Sequence, residues 1–512
     1  MKFSELIAHL AGVAPPAHDV DISAPVTERA QDVRPGGVFV ARAGAVADGH
    51  ALIPQAVANG AAAVVGERPA DRVDCPVPYA WVPDARAALG PLAAAYHGFP
   101  SRRLVVVGVT GTDGKTTTVT LLYHILRAAG LQAGMISTVG AVMGGREVET
   151  GLHVTTPGAP EVQGYLEEMV RTGLSHCVLE VTSHGLAQGR LEGIDFDVAV
   201  LTNITHEHLD YHQTWEAYRE AKARLFWSLG RSAAKPDQPK VAVINADDPS
   251  ADYFLRIPAE RRLTYSALSS GADVTASDIV HAPDGLRFSA GGLAIRSPLV
   301  GLYNVSNLLA AITAALALGV PSEAIQQGVR DAPPVPGRME RIDEGQDFLA
   351  VVDFAHTPHS LRQALQTART LIAPGGRVIC VVGSAGLRDR AKRRLMAEAA
   401  AELADITLLT AEDPRTESLD AILAEMALGC RRSGGVEGRT FFRVPDRGEA
   451  IFRAVQMAGP GDIVISCGKG HEQSMCFGEI EYPWDDREAM RAALRGAPLR
   501  TLPTAKQHDA SR

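Results

Sequence analysis

Cysteine is scarce in this chain, with six in 512 residues, and none of them stands in a CxxC pair. Cys75, Cys177, Cys380, Cys430, Cys467 and Cys476 sit mostly inside apolar runs such as RVICVVG and DIVISCG. That pattern excludes a disulfide framework and predicts buried thiols in a reducing compartment. Long hydrophobic runs are also missing: no stretch approaches the roughly 18 apolar residues of a spanning helix. The N-terminal MKFSELIAHLAGVAPPAHDVDIS starts amphipathically but has no continuous apolar core or cleavage site. A soluble, cytoplasmic protein is expected. Basic charge is not in excess either, since 50 Lys and Arg face 59 Asp and Glu for a formal net charge of -9. Such a chain offers no long-range attraction to nucleic acid or to an anionic membrane, so anionic substrates must be held by local groups.

What is present suggests several well-buried cores. Hydrophobic residues make up 46% of the 512, and about 150 residues per domain predicts three domains. Residues 1–102 alternate short apolar runs (GGVFVARAG, AAAVVGE) with alanine-rich helical pattern, as in a small α/β unit. At Leu104 a β-branched run, LVVVGVTG, has the continuity of a strand buried on both faces. With CVLEVTS, DVAVLTNI and VAVINADD it predicts a doubly wound parallel sheet over 103–336. Proline and glycine cluster in DAPPVPGRME, which sets a boundary near residue 336. LAVVDFAH, RVICVVGS, ITLLTAED and DIVISCGKG then predict a second open α/β domain over 337–497. The remainder, 498–512, is expected to be a frayed tail.

The most specific local feature is LVVVGVTGTDGKTTT, a strand, a turn and a helix. Gly111 and Gly114 allow backbone amides to approach phosphate oxygens, and the helix N-terminus adds a positive dipole. Thr112, Asp113 and Thr117 complete the turn. Lys115 would reach the β- and γ-phosphates, and the Thr116 hydroxyl would meet magnesium. The general phosphate-loop pattern asks for glycine where this chain has Val109. Glu180, at the end of a buried strand in LEVTSHGLAQGR, is costly to bury without a cation or donor, so it is a candidate metal ligand. Thr182 and Ser183 equally suit a helix N-cap. His206, His208 and His212 cluster after another strand without zinc-protease spacing.

The variant GTDGKTT resembles the GTNGKTT of Mur ligases and folylpolyglutamate synthetases. Read across residues 25–495, the chain is most similar to the tripeptide-synthetase branch of the Mur ligase family, which adds an amino acid to a UDP-muramoyl dipeptide. The resemblance implies ATP and Mg2+ as cofactors, with metal ligation by Thr116, Glu180 and His208. It implies that Thr155, Thr156, Thr182, Gln188 and Arg190 hold the muramoyl peptide. Lys222, on its own an ordinary solvated helix lysine, is implied to be carbamylated and to ligate a second metal ion. Asn304 and Asn307 of GLYNVSNLL, Arg338 of PGRMERI, and Asp353 and His356 of VVDFAHTPHSL are implied to surround the nucleotide. The two asparagines equally suit N-capping.

In the last domain, Glu412, Asp413, Pro414 and Arg415 match the DNPR motif of relatives that add meso-diaminopimelate, a diamino acid with a distal carboxylate that an arginine can grip. Arg388, Gly468 and Glu472 match further amino-acid contacts. Asp413 in place of asparagine adds negative charge that suits a distal ammonium, so lysine or ornithine is the alternative substrate. GSAGLRDRAKR also departs from the usual GGDRDxxKR type. In the first domain, Thr27, Glu28 and Arg29 stand where relatives contact uridine with DSR. Gly44, Ala45 and Val46 replace a GHQ-like segment. The expected partners are small molecules, with no nucleic acid, no membrane and a monomeric state.

Overall fold

A computed structural model describes residues 1–505 except Ala17, 45–47, 149–154, 206–208, Ser270, Pro283 and Ala373. The chain builds three separate α/β layers with their own cores. The first holds four parallel strands in chain order, Val26–Thr27, Gly37–Ala41, Ala61–Gly66 and Tyr79–Trp81. Helix Ala85–Tyr96 starts at Asp84, whose side chain caps the amide of Ala87, and it packs its alanine face on this sheet.

The second sheet has eleven strands. Its centre is parallel, in the order 261–266, 241–245, 198–201, 105–110, 176–180, 133–137, and antiparallel hairpins extend both edges. Val105–Thr110 carries a run of β-branched residues because both of its faces are covered. It lies between Val198–Leu201 and His176–Glu180, with Val109 paired to Glu180 and Thr110 to Leu201. The chain leaves this strand for helix Lys115–Ala128, while the neighbouring strands belong to later segments. Such a switch point at strand carboxyl ends is where open α/β sheets bind ligands.

The third sheet has six strands, ordered 340–342, 349–353, 463–467, 378–382, 406–409, 441–443, all parallel except the first. A small hairpin, Ser474–Phe477 with Ile480–Pro483, stands beside it. The expected frayed tail is corrected as far as residue 505. Leu502 and Ala505 are buried, Thr501 Oγ1 donates to the Pro483 carbonyl at 2.9 Å, and Thr504 Oγ1 donates to Asp446 at 2.6 Å. An apolar pair, Leu499 and Leu502, anchors these otherwise polar residues to the third core. Five of the six cysteines are buried, and burial pushes the Cys177 and Cys430 thiols up to about 12.

Candidate active site

The turn after Val105–Thr110 is shaped by what sits behind it. Gly111 has φ 153° and a Cβ there would lie 1.8 Å from Thr202 Oγ1; Gly114 has φ 82° and its Cβ would lie 2.0 Å from Asn307 Oδ1. Asn203 stitches the turn from the neighbouring strand end. Its carbonyl accepts from Thr112 N at 2.7 Å, its Oδ1 accepts from Asp113 N at 2.9 Å, and its Nδ2 donates to the Asp113 carbonyl at 3.2 Å. Lys115 Nζ donates to the Thr112 carbonyl at 2.7 Å. The amides at the start of helix Lys115–Ala128 are thereby held open toward a cavity, the arrangement that receives phosphate oxygens.

Glu180 is 1% exposed yet lines that cavity. Its Oε1 accepts from Thr116 Oγ1 at 3.1 Å and its Oε2 from Thr138 N at 3.0 Å. Hard cations take oxygen ligands, and this carboxylate with the Thr116 hydroxyl supplies two at one wall. Among the described residues no group of three His, Cys, Asp or Glu side chains converges. His208 lies outside the described residues. His212 is buried, its ring 5.3 Å from that of Tyr218.

Lys222 overturns the reading of a solvated helix lysine. It is 1% exposed, its Nζ donates to the Gly111 carbonyl at 2.6 Å, and it lies 4.4 Å from the centre of the Tyr218 ring. Tyr218 is one helical turn earlier on Trp215–Leu229, and its hydroxyl meets Thr112 Oγ1 at 3.1 Å. The helix therefore props the phosphate turn from beneath with two side chains at i and i+4.

Thr156, Thr182, Gln188 and Arg190 come together. Thr182 caps helix Ser183–Ala187 by accepting from Gly185 N at 3.0 Å, so the capping role holds, and its hydroxyl also meets Thr156 Oγ1 at 2.9 Å. Arg190 donates to the Thr156 carbonyl at 2.7 Å and to Gln188 Oε1 at 2.6 Å. Burial lowers the Arg190 pKa, opposed by the charges of Glu28 and Glu161. Thr155 and Thr182 line the cavity, whereas Thr27 and Arg29 stand apart from it on the first sheet. Thr27 Oγ1 accepts from Arg29 N at 3.2 Å, and Arg29 is exposed beside Asp32.

The cavity has a volume of about 680 Å³ and is closed from the far side by the third lobe. Arg338 donates to Thr116 Oγ1 at 3.3 Å and stacks 4.4 Å over Phe354. Asp353, His356, His471 and Glu472 line the same space. Asp353 accepts from Met339 N at 2.7 Å and Ala355 N at 2.8 Å, and burial raises its pKa. Burial and the Arg338 charge push His471 down to about 3, so it is neutral at ordinary pH. Neither Asn304 nor Asn307 caps its helix. Asn304 Nδ2 donates to the Val300 carbonyl at 2.7 Å, and its Oδ1 accepts from Asn307 Nδ2 at 2.8 Å, which aims Asn307 Oδ1 at Gly114.

At the outer end of the third lobe, Glu412–Arg415 faces Gly468–Glu472 across a web of buried charge. Arg447, fully buried, donates to the Ala411 carbonyl at 3.2 Å and the Cys467 carbonyl at 2.8 Å, the residues preceding each segment. Asp486 balances it at 2.6 Å. Glu412 Oε2 lies where a Gly468 Cβ would come within 2.2 Å, and burial raises the Glu412 pKa. Pro414 places its carbonyl against Gly386, in the loop that carries the exposed Arg388. Asp413 corrects an expectation: its carboxylate is not presented to a ligand ammonium but accepts from Lys469 Nζ at 3.1 Å on both oxygens, and from Cys476 N at 2.9 Å. Asn203, Tyr218, Lys469, His471 and Arg447 went unnoticed in the sequence. Of these, Asn203 lies within DVAVLTNI, Lys469 within DIVISCGKG, and His471 beside Glu472.

Three family models match the chain in order: Mur ligase family, catalytic domain, at 26–97; Mur ligase middle domain at 109–315; and Mur ligase, glutamate ligase domain, at 337–470. A UDP-N-acetylmuramyl-tripeptide synthetase of Roseiflexus sp. (strain RS-1) is 47% identical, covering 96% of this chain and 99% of its own. A UDP-N-acetylmuramoyl-L-alanyl-D-glutamate--2,6-diaminopimelate ligase of Geobacillus thermodenitrificans (strain NG80-2) is 43% identical, covering 90% and 93%. A solved structure of a ligase with that second name is 33% identical at a TM-score of 0.63, covering 93% of this chain and 97% of its own. With three family models in register and relatives matched over nearly their whole length, the chain belongs to the Mur ligase family of ATP-dependent, peptide-bond-forming ligases.

Proposed function

We propose that this enzyme joins a diamino acid, meso-diaminopimelate, to the D-glutamate side chain of UDP-N-acetylmuramoyl-L-alanyl-D-glutamate in cell-wall precursor synthesis. The observation that carries the reading is the single cavity lined by the phosphate turn, Glu180, Thr182, Arg338, Asp353, His356 and Glu472. The relatives' names supply the substrate, and the geometry is compatible with it. The γ-phosphoryl group of ATP passes to the glutamate carboxylate and ADP leaves. The amine then attacks the acyl carbon, phosphate departs and the amine sheds a proton.

In this scheme the amides of the phosphate turn and Lys115 would hold the triphosphate beside the acceptor carboxylate. Thr155, Thr156, Thr182, Gln188 and Arg190 orient the muramoyl peptide, and Thr27 and Arg29 meet the uridine end. Asn304, Asn307, Arg338, Asp353 and His356 surround the nucleotide. Arg415, Arg388, Gly468 and Glu472 receive the amino acid. Thr116, Glu180 and His208 would hold magnesium, which would supply neutralisation of phosphate charge. Lys222 takes up carbon dioxide on its neutral Nζ, forming an N–C bond with loss of a proton, and so turns a cation into an anionic ligand under the turn. Closure of the third lobe over the cavity keeps water from the acyl phosphate. The lobes divide at 1–102, 103–336 and 337–497, with 498–505 packed onto the third. The enzyme works as a cytoplasmic monomer without nucleic acid or membrane; no helix among the described residues is long and apolar enough to cross a membrane.

The test is phosphate release in the presence of ATP, magnesium and UDP-muramoyl dipeptide, with amino acids supplied one at a time. Release that depends on meso-diaminopimelate is expected. Release that needs no acceptor, or that needs folate and glutamate instead, would refute the reading.

A further inference from the structure

Arg338 stands at the start of the third lobe and reaches back into the second. Its main chain belongs to the third, where Asp353 accepts from Met339 N at 2.7 Å and Glu340 accepts from Gly337 N at 2.7 Å. A Cβ on Gly337 would lie 2.2 Å from His471 N, so the third lobe presses directly on this turn. The guanidinium, however, donates to Thr116 Oγ1 at 3.3 Å, across a separation of 222 residues. One side chain therefore bridges the two lobes at the phosphate turn.

What holds the bridge in place is not an acid. Arg338 has no ion pair among the described residues, and its Nε is buried without a hydrogen-bond partner. A buried N–H left unanswered costs about 1–3 kcal/mol. Asp353 already accepts from Met339 N and, at 2.8 Å, from Ala355 N. Beneath the guanidinium lies instead the ring of Phe354, its centre 4.4 Å from Arg338 Cζ. The face of an aromatic ring attracts a cation without forming an ion pair that a phosphate would have to break. Phe354 lines the main cavity and is itself fixed from both sides. The rings of His356 and His471 stand 4.5 and 5.2 Å from its own, and Gly470 leaves it room, since a Cβ there would come 2.7 Å from Phe354 Cβ.

We propose that Phe354 is a positioning residue for the nucleotide step: its ring carries the Arg338 guanidinium across the lobe boundary to the phosphate turn, so that a phosphate group seated there meets a fixed cation from the third lobe. This role rests on the assignment of Arg338 to the nucleotide proposed above and adds the side chain that places it. Its test must separate placement of one cation from packing of the whole lobe.

The experiment titrates the full chain with a non-hydrolysable ATP analogue and magnesium by calorimetry, beside the KM for ATP, for UDP-muramoyl dipeptide and for meso-diaminopimelate. Phe354→Leu keeps an apolar side chain but loses the ring face, and the Kd of the analogue and the KM for ATP should each rise about fivefold. The KM for the other two substrates should not move. Phe354→Tyr, which keeps the face, should bind within about twofold of wild type. Arg338→Met should weaken binding at least as much as Phe354→Leu, and combining the two should add no more than about twofold to the loss. Losses that multiply in the double variant, a tyrosine variant as weak as the leucine one, or equal rises for all three substrates overturn the proposal. Should Phe354→Leu not fold by thermal melting, a trifluorinated phenylalanine at position 354 takes its place, with nearly the same shape and an electron-poor face. Weaker binding of the analogue is expected from it, and an unmoved Kd overturns the proposal. An Arg338→Met enzyme with an unmoved Kd overturns the nucleotide assignment and this role with it, whereas a weakened Arg338→Met beside an unmoved Phe354→Leu overturns this role alone.

Discussion

The phosphate turn and the Glu412–Glu472 end of the third lobe are held together by different kinds of bond. Around Gly111–Lys115 the partners are mostly neutral, namely main-chain amides, the Asn203 amide group, and glycines that make room for Thr202 and Asn307; the exceptions are the amino groups of Lys115 and Lys222 on the Thr112 and Gly111 carbonyls. Around Glu412–Glu472 they are buried ions, with Arg447 on Asp486 and Lys469 on Asp413 and Glu472. A neutral cradle leaves its dipoles to a charged ligand, whereas an ionic scaffold must first satisfy its own charges.

Lys222 is where the comparison is most exposed to failure, because it places an ionisable group inside the neutral end. Lys222→Ala should lower the ligation rate on the order of a thousandfold, with partial recovery when acetate or another small carboxylate is added to the assay. Retained activity would remove the carbamate from the scheme. At the ionic end, Arg447→Met should destabilise the protein by about 3–5 kcal/mol, since Asp486 is left buried without its cation. Urea unfolding followed by fluorescence measures this.

The pH dependence of that loss sharpens the contrast. Burial pushes the Asp486 carboxyl up, but the Arg447 charge and hydrogen bonds from Arg447, Trp484 and Ser466 outweigh it and hold the pKa below the ordinary value. A depressed folded pKa stabilises above the unfolded value of about 3.9 and is lost as pH falls through the folded one. The deficit of Arg447→Met should accordingly be largest near neutrality and shrink below about pH 4. A deficit independent of pH would mean that packing rather than charge is lost.

The smallest expected effect lies back at the neutral end. Gly114→Ala places a Cβ 2.0 Å from Asn307 Oδ1 at φ 82°. The left-handed backbone costs roughly 1–2 kcal/mol, so the KM for ATP should rise about tenfold while the KM for the amino acid is unchanged. A change confined to the amino acid would break the assignment of the two ends.

Much of this was legible beforehand. Val105–Thr110, Val198–Leu201, Val241–Asn245, Val378–Val382 and Ile463–Cys467 appear as continuous apolar runs because strands buried on both faces need them. The turn Gly111–Lys115 was legible because its requirements are local: no side chain fits at two positions, and a helix must start immediately after. Thr182, Gln188 and Arg190 were named through resemblance, and the structure brings them together with Thr156. Thr27 and Arg29, by contrast, stand away from the main cavity.

Lys222 could not be read from its own surroundings, since EAYREAKARL is an ordinary amphipathic helix until its lysine face is laid under Gly111. The charge carried by Asp413 was misjudged for a similar reason: its partner Lys469 lies on another strand end, and only the pairing of distant segments shows that the carboxylate is spent. Composition, strand runs and the glycine turn follow from the order of residues, because burial and backbone freedom act over a few neighbours. Which carboxylates, amides and cations meet, and therefore which charge is left for a ligand, was decided by the packing of three sheets.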